Sequence, residues 1–328
     1  MKKISIIIVN HNGKHLLNAC LESLYKQSFK DIEIIIVDNA SADGSVEYVR
    51  DSFADIKIIS LPKNIGFAGA NDEGLRNATG DYIMLLNNDV EVDKECVNNL
   101  FLAMEASQEV GIGAPKMVVN GKEIIDSVGD GFSTILRGFK RGEGKAANLY
   151  NHEEYIFGAC AGAAIYRRSM LEEIGFLDED FFLIYEDCDL NFRAQLAGWR
   201  AKYIPSAVVY HRVRSTIGHM SDKAVYYAVR NSELTRIKNV PLGLFLRCFP
   251  SYIVGGFLEF LYFVIKHRKL KLYLKAKIDV IKLLPSMIKK RRNIMNARKT
   301  DNRYLYFVMT SLWDKEFFTT KAKKFLQG

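Results

Sequence analysis

Short apolar runs and amphipathic stretches alternate along the N-terminal part of the chain. The apolar runs are short enough for strands buried on both faces, and they predict strands over Ile4–Val9, Ile32–Val37, Ile56–Leu61 and Asp81–Leu86. Between the runs, apolar residues recur at helical spacing, which predicts helices over Lys14–Gln27, Ser45–Phe53 and Phe67–Asn77. Alternation of this kind predicts an α/β fold in which helices cover both faces of a mostly parallel sheet.

Polar residues follow each predicted strand, where open α/β sheets bind their ligands. The four loops contain Asn10-His11-Asn12-Gly13, then Asp38-Asn39, then Asn64-Ile65-Gly66 with Asn71, and finally Asn87-Asn88-Asp89. A phosphate or a metal is expected at the last loop, although Asn and Asp are also common in ordinary turns. Asp38 could accept a hydrogen bond from a nucleobase N–H or a ribose hydroxyl, or it could cap the next helix.

The motifs and the cysteine pattern of the sequence argue against several other protein classes. Neither G-x-G-x-x-G nor G-x-x-x-x-G-K-[ST] follows the first strand, which argues against a dinucleotide-binding enzyme and a P-loop protein. The five cysteines are widely spaced and form no C-x-x-C pair, so neither a disulfide framework nor a structural zinc site is expected. Only the short run Ile4–Val9 follows Met1-Lys2-Lys3, and five of its six residues are apolar, which predicts a first strand rather than a signal peptide. A reducing cytoplasm fits these observations.

The net charge of +8 is unevenly distributed. Residues 1–210 contain 21 Lys and Arg against 31 Asp and Glu, whereas residues 211–328 contain 25 against 7. The chain is therefore predicted to have two parts with different partners.

Two later stretches add candidate chemistry. Residues 121–154 show no clear hydrophobic periodicity. They are interpreted either as a mobile loop over the active site or as a surface insertion. Glu186, Asp187 and Asp189 crowd three carboxylates at the start of a predicted helix. Negative side chains in the first turn of a helix interact favourably with the helix dipole. Crowding and burial would also raise the pKa of a carboxylate and make one of the three a better base.

Eight motifs follow one another along the chain: Ile6–Gly13, Val37–Ser45, Asn64–Asn71, Leu85–Asp89, Gly162–Arg168, Gly175–Phe182, Glu186–Leu190 and Tyr210–Arg214. Each motif is weak without the others. As an ordered set, they resemble the family 2 glycosyltransferases of GT-A fold, and within them the branch that contains bacterial rhamnosyltransferases. The similarity extends over about residues 4–215.

The resemblance implies a role for each matching position. Asp38 contacts the base of a nucleotide-diphosphate sugar, and Asn10, Asn64, Gly66, Asn71 and Asn88 belong to the donor site. The D-x-D segment that holds a divalent cation is Asn87-Asn88-Asp89 here, so Asp89 is its one carboxylate. With the donor's phosphates and water, one carboxylate suffices for Mg²⁺, and His211 is the second implied ligand, which suits Mn²⁺ better.

The resemblance also implies an inverting, single-displacement reaction. Asp187 is the base that takes a proton from an acceptor hydroxyl, and Glu186 and Asp189 bind the acceptor or orient the helix. The cation at Asp89 stabilises the leaving nucleotide diphosphate. No covalent sugar–enzyme intermediate is needed.

The C-terminal part combines apolar, aromatic and basic residues at helical spacing. Helices are predicted over Lys223–Lys238, Leu242–Lys266 and Leu270–Lys290, and this composition is typical of helices that lie in a membrane interface. Cys248–Ile265 is borderline for a spanning helix because it contains Pro250, Gly255, Gly256 and Glu259. A soluble helical bundle or a homodimer contact is left open, and nucleic-acid binding is not expected because no nucleic-acid-binding motif accompanies the charge.

Together these observations predict a GT-A catalytic domain over residues 1–215 and a basic amphipathic helical region over residues 216–328. The enzyme is expected to move a sugar, for instance rhamnose, from a dTDP- or UDP-sugar to a glycan or lipid-linked acceptor. It is expected in the cytoplasm, peripherally attached to the anionic inner face of the cell membrane. Two alternatives are an inactive nucleotide-sugar-binding membrane scaffold and a sugar-1-phosphate nucleotidyltransferase, although the latter's G-x-G-T-R-type opening is missing.

Overall fold

The computed structural model describes residues 3–212, 220–315 and 317–319. Its strands are β1 (Ile4–Asn10), β2 (Ile32–Asp38), β3 (Lys57–Ser60), β4 (Tyr82–Asn87), β5 (Val90–Val92), β6 (Val110–Val119), β7 (Ile125–Ser127), β8 (Asp130–Ser133), β9 (Arg137–Lys140), β10 (Glu154–Ile156), β11 (Ala163–Arg167) and β12 (Arg200–His211). Its α-helices are α1 (Lys14–Tyr25), α2 (Ser45–Ser52), α3 (Gly66–Arg76), α4 (Cys96–Glu105), α5 (Arg168–Ile174), α6 (Glu186–Leu196), α7 (Asp222–Asn239), α8 (Leu242–Phe260), α9 (Leu270–Asn296) and α10 (Asn302–Val308). A 3₁₀ turn covers Glu179–Phe181, and a π-helical segment, Leu261–Lys266, continues α8.

The predicted α/β fold is confirmed. The strands and helices predicted before residue 90 are present, with ends shifted by one or two residues. The main sheet has the order β10-β12-β6-β11-β4-β1-β2-β3, and β1 lies parallel to both β2 and β4. Because the chain adds strands on opposite sides of β1, the crevice at the carboxyl ends of β1 and β4 is a topological switch point.

Side chains of β1 enter both layers of the core. Ile4, Ile6 and Ile8 pack in one buried cluster, and Ile7 packs in the other. Alternation of this kind follows from the two-residue period of a strand, and it explains why the run is apolar at nearly every position.

The interpretation of residues 121–154 as a mobile structureless loop is wrong. The segment contains β7, β8 and β9 and the start of β10, and Ile125, Val128 and Phe132 are buried. Its strands are only three or four residues long, so they carry too little hydrophobic periodicity to be recognised in the sequence.

The chain divides into two compact units. The first comprises Met1–Asp130, Lys140–Ala194 and Trp199–Thr216, and the second comprises Gly131–Phe139, Gln195–Gly198 and Ile217–Gly328. In the second unit, α7 packs on α9 around Val225, Val229 and Ala276.

Apolar side chains on the second unit remain exposed along two helices. On α8 they recur at three- or four-residue intervals, as Leu242, Leu246, Phe249, Ile253 and Phe257. On α9 they are Leu270, Leu274, Ile278, Ile281 and Ile288. The acidic residue of α8, Glu259, is instead buried and pairs with Arg137 and Lys277. By length and composition, the segment Leu242–Lys266 could cross a membrane.

Candidate active site

Three residues predicted for the donor site form one hydrogen-bonded row at the switch point. Asn88 Nδ2 donates to Asn10 Oδ1 at 2.8 Å, and Asn10 Nδ2 donates to Asp38 Oδ1 at 3.1 Å. The other oxygen of Asp38 accepts from the backbone N–H of Ser41 at 2.9 Å. All three side chains are buried, and strand pairing sets Asn10 directly opposite Asp38. The row fixes the Asp38 carboxylate at the end of β2.

A second set of amide contacts shapes the loop before α3. Asn39 Nδ2 donates to Asn64 Oδ1 and to the carbonyl of Gly66, both at 3.1 Å. Gly66 adopts a φ of +83°, and a Cβ there would lie 2.5 Å from the carbonyl oxygen of Phe182. Glycine is therefore required by conformation and by close approach. Asn71, on α3, is buried and donates to the carbonyl of Phe67 one helical turn back.

The two predicted metal ligands lie side by side. His211 ends β12 and is paired with Val90, so it lies beside Asp89, the residue that precedes β5. His211 Nε2 is 3.3 Å from Asp89 Oδ1, and both side chains are largely buried. Among the residues that the structure describes, no cluster of three or more His, Cys, Asp or Glu could hold a metal ion. A metal here would take the remaining ligands from substrate phosphates and water.

Asp126 contacts the other side of the His211 ring. Its Oδ2 is 2.9 Å from His211 Nδ1, and Lys140 Nζ donates to both of its oxygens at 3.0 and 2.9 Å. Burial alone would raise the pKa of Asp126, but the hydrogen bond with His211 and the charge of Lys140 lower that pKa to about 2. Burial alone would lower the pKa of His211, but its hydrogen bonds to Asp126 and Asp89 raise that pKa to about 9.

Carboxylates crowd the start of α6. Asp187 Oδ1 accepts from the N–H of Cys188 at 2.7 Å, and its Oδ2 accepts from the N–H of Ala161 at 3.2 Å. Burial raises the pKa of Asp187, while these hydrogen bonds and the charge of Lys140 oppose the rise. The residue is half-buried, whereas Glu186 and Asp189 are buried.

Glu186 is in a different environment from its neighbour. Its side chain is buried, and within the described residues its Oε2 has no hydrogen-bond partner. Burial, followed by the negative charge of Asp187, raises the pKa of Glu186 well above its usual range. Backbone hydrogen bonds oppose the rise at Asp187, so Asp187 is the better candidate for a base.

The loop before α6 is strained. Phe182, Ile184 and Tyr185 have φ values of 64°, 66° and 77°, in the left-handed region that L-residues rarely adopt. The carbonyl of Phe182 accepts from the N–H of Ala68 in α3, so this loop is fastened to the donor-side helix. Such strain is typical of functional sites, where surrounding contacts hold a residue in an unfavourable conformation.

The contacts of Asp189 are those of a residue that stabilises the fold. It is fully buried and accepts from Arg193 Nε at 2.9 Å, and the guanidinium of Arg193 also donates to the carbonyls of Ile174, Gly175 and Phe176. Of the two roles open to Asp189, orienting the helix therefore matches its contacts and binding an acceptor does not.

Asp126, Asp130 and Lys140 were missed by the sequence analysis because they lie in the segment taken for a loop. Asp130 exchanges two backbone hydrogen bonds with Gly158, in the loop that carries Ala161. Burial and the charge of Asp187 raise the pKa of Asp130 well above its usual range. The available signal was Asp126 and Asp130 alternating with buried apolar Ile125 and Val128.

The candidate site thus lies at the switch point of an α/β sheet, where amide side chains and a His–Asp pair end the strands. The chain belongs to glycosyl transferase family 2, whose model matches residues 5–175. The rhamnosyltransferase-like branch stays a prediction.

The chain is 25% identical over 276 residues to a poly-beta-1,6-N-acetyl-D-glucosamine synthase of Staphylococcus epidermidis, covering 79% of this chain and 65% of the relative. It is also similar to the structure of S. aureus TarS 1–349 in complex with UDP-GlcNAc, with a TM-score of 0.57, 18% identity, and 97% and 92% of the two chains covered. A third similar protein is the mannosyltransferase PcManGT from Pyrobaculum calidifontis, whose structure is in complex with GDP-Man and Mn²⁺. Its TM-score is 0.53 and its identity 16%, and the match covers 99% of this chain and 87% of that chain. The two structural likenesses show the GT-A fold.

Proposed function

We propose that this glycosyltransferase performs a metal-dependent, inverting transfer from a nucleotide-diphosphate sugar to a hydroxyl acceptor. The observation that carries the proposal is Asp89 beside His211 at the end of β4, with Asp187 at the start of α6 bonded to Ala161, whose neighbour Gly162 accepts from the N–H of Asn87. A base and a site for phosphate charge are what a single displacement requires.

In the proposed step, Asp187 accepts the proton of the acceptor hydroxyl. The hydroxyl oxygen forms a bond to the anomeric carbon of the donor, and the bond from that carbon to the diphosphate oxygen breaks. The nucleotide diphosphate leaves with the electron pair. A base on the face opposite the leaving group gives inversion and needs no covalent intermediate.

The residues present fit a divalent cation. Asp89 supplies a carboxylate oxygen and His211 supplies Nε2, a mixed set that suits Mn²⁺ better than Mg²⁺. A bound cation would neutralise charge on the leaving diphosphate. The Mn²⁺ in the complex of the similar mannosyltransferase supports the same choice.

For the donor we propose a UDP- or dTDP-sugar whose base is read by Asp38. Asn10 and the N–H of Ser41 hold this carboxylate as an acceptor for a base N–H. The N-acetylglucosamine polymer of one similar protein and the UDP-GlcNAc bound to another support UDP-GlcNAc as the first donor to test, and dTDP-rhamnose is the other. The acceptor is proposed to be a glycan or a lipid-linked precursor of one.

A donor-hydrolysis screen tests this function. The full chain is incubated with UDP-, dTDP- and GDP-sugars, with Mn²⁺, Mg²⁺ or EDTA, and free nucleotide diphosphate is measured. Slow metal-dependent release from one donor, lost in Asp89→Ala and Asp187→Asn but retained in Glu179→Gln, is expected. Absence of both release and nucleotide binding would contradict the proposal.

We further propose that residues 216–328 attach a catalytic part, residues 1–215, to the anionic cytoplasmic face of a membrane. The exposed apolar rows on α8 and α9 are accompanied by exposed basic residues, among them Lys266, Arg268, Lys271 and Lys275. Apolar side chains would enter the interface while Lys and Arg contact anionic headgroups.

Flotation with vesicles tests the attachment. The chain is expected to float with phosphatidylglycerol-containing vesicles at low salt and to float less with neutral vesicles. Changing Phe249, Ile253 and Phe257 together to Ser should release it, whereas Leu102→Ser, at an exposed apolar position on α4, should not. A chain that stays at the bottom with anionic vesicles at low salt would contradict attachment.

A further inference from the structure

Asp126 reaches His211 because of an irregularity in strand pairing. Strand β7 pairs antiparallel with β6, with Met117 opposite Ser127 and Val118 opposite Ile125, so Asp126 is the extra residue of a bulge. A bulge redirects a side chain away from the regular alternation of its strand. The end of β12 pairs with the same stretch of β6, and the N–H of Asn120 donates to the carbonyl of His211.

The contacts of Asp126 are those of a carboxylate that orients an imidazole. It is 4% exposed and holds His211 at Nδ1, while the opposite ring nitrogen, Nε2, is the one beside Asp89. Lys140 donates to both carboxylate oxygens and so fixes Asp126 in turn. A His that ligates a metal through one nitrogen usually gives the other nitrogen to a carboxylate.

We propose that Asp126 is a positioning residue for divalent-cation binding: it holds the His211 ring so that Nε2 is presented beside Asp89, and Lys140 holds Asp126. The inference rests on the proposed function, because it takes His211 as a ligand. The segment that contains β7 and β9 thereby determines the strength of the cation site without touching the cation.

The test measures Mn²⁺ binding in place of turnover. Free Mn²⁺ is followed by electron paramagnetic resonance during titration of the full chain in the presence of UDP, and UDP binding is measured separately in EDTA. Asp126→Asn should weaken Mn²⁺ binding about 10- to 100-fold and leave UDP binding in EDTA within about twofold. Glu91→Gln, which changes a carboxylate that accepts from Arg212 just after the end of β12, should leave both unchanged.

A double variant separates positioning from a general structural effect. If Asp126 acts through His211, adding Asp126→Asn to His211→Gln should cause no further loss of Mn²⁺ affinity. An equal additional loss in that background would overturn the proposal. So would wild-type Mn²⁺ binding by a folded Asp126→Asn variant.

Asp126→Glu serves if the Asn variant folds poorly, since it keeps the charge for Lys140 but displaces the carboxylate. It should also weaken Mn²⁺ binding, and wild-type binding would overturn the proposal. Absence of Mn²⁺ binding by the wild-type chain with UDP would contradict the metal-dependent function itself, a result distinct from failure of Asp126 alone.

Discussion

The proposed donor side and the proposed base side of the candidate site are built differently. On the donor side, Asn10, Asp38 and Asn88 are buried and bonded to one another. On the base side, burial raises the pKa values of Asp187, Glu186 and Asp130, and the preceding loop contains residues at positive φ. The donor side therefore contributes to stability, whereas the base side keeps reactive groups at a cost in stability.

The largest expected effect is on the base side. Asp187→Asn should lower turnover about 1,000-fold, because it removes the proposed base. Donor binding, measured by calorimetry, should stay within about twofold. Turnover near the wild-type rate would show that another group is the base. Glu179→Gln, an exposed carboxylate in the 3₁₀ turn, is the control.

Asp89→Ala should lower turnover about 100-fold, because the cation would lose its carboxylate and the leaving diphosphate would lose part of its charge stabilisation. The loss should be partly overcome by raising the Mn²⁺ concentration, which turnover at several Mn²⁺ concentrations would reveal. A variant that responds to Mn²⁺ as the wild type does would exclude Asp89 as a ligand.

Lys140→Met should change the pH dependence of the reaction. The positive charge of Lys140 lowers the pKa of Asp187, so its removal should raise that pKa. The base works when deprotonated, so the acid limb of the pH profile of kcat/KM should move to higher pH. Arg141→Met, which loses a neighbouring cation that pairs with Glu154, should leave the profile in place. An unchanged pH profile for Lys140→Met would show that the charge of Lys140 does not affect the pKa of the base.

The smallest effects are on stability, and they differ between the two sides. Asn10→Ala removes the buried hydrogen-bond partner of Asn88 Nδ2 and of Asp38 Oδ1, which should cost about 1–3 kcal/mol of unfolding free energy. Because the folded-state pKa of Asp187 is raised, its ionised form opposes folding above that pKa, so Asp187→Asn should not lower stability at neutral pH. Denaturant unfolding of the two variants measures both. Loss of stability in Asp187→Asn would contradict the contrast between the two sides.

Periodicity and ordered motifs determined much about this protein. The apolar runs at β1, β2 and β4 are buried whatever the detail of the packing, so their strands and the polar residues that end them could be predicted. The helical spacing of α7, α8 and α9 likewise identified each helix. These signals are local, since they depend on residues a few positions apart.

Tertiary structure alone brought Asp126 to His211, 85 residues away along the chain. Strands of three or four residues carry too little pattern to predict their partners, and the bulge that aims Asp126 depends on the register between β6 and β7. The same holds for Lys140 and Asp130. The sequence by itself determined the strands and helices before residue 90, the helices of the C-terminal part, and which polar loops meet at the switch point. Folding decided which charges face one another, because long-range strand register is set by the packing of the whole sheet.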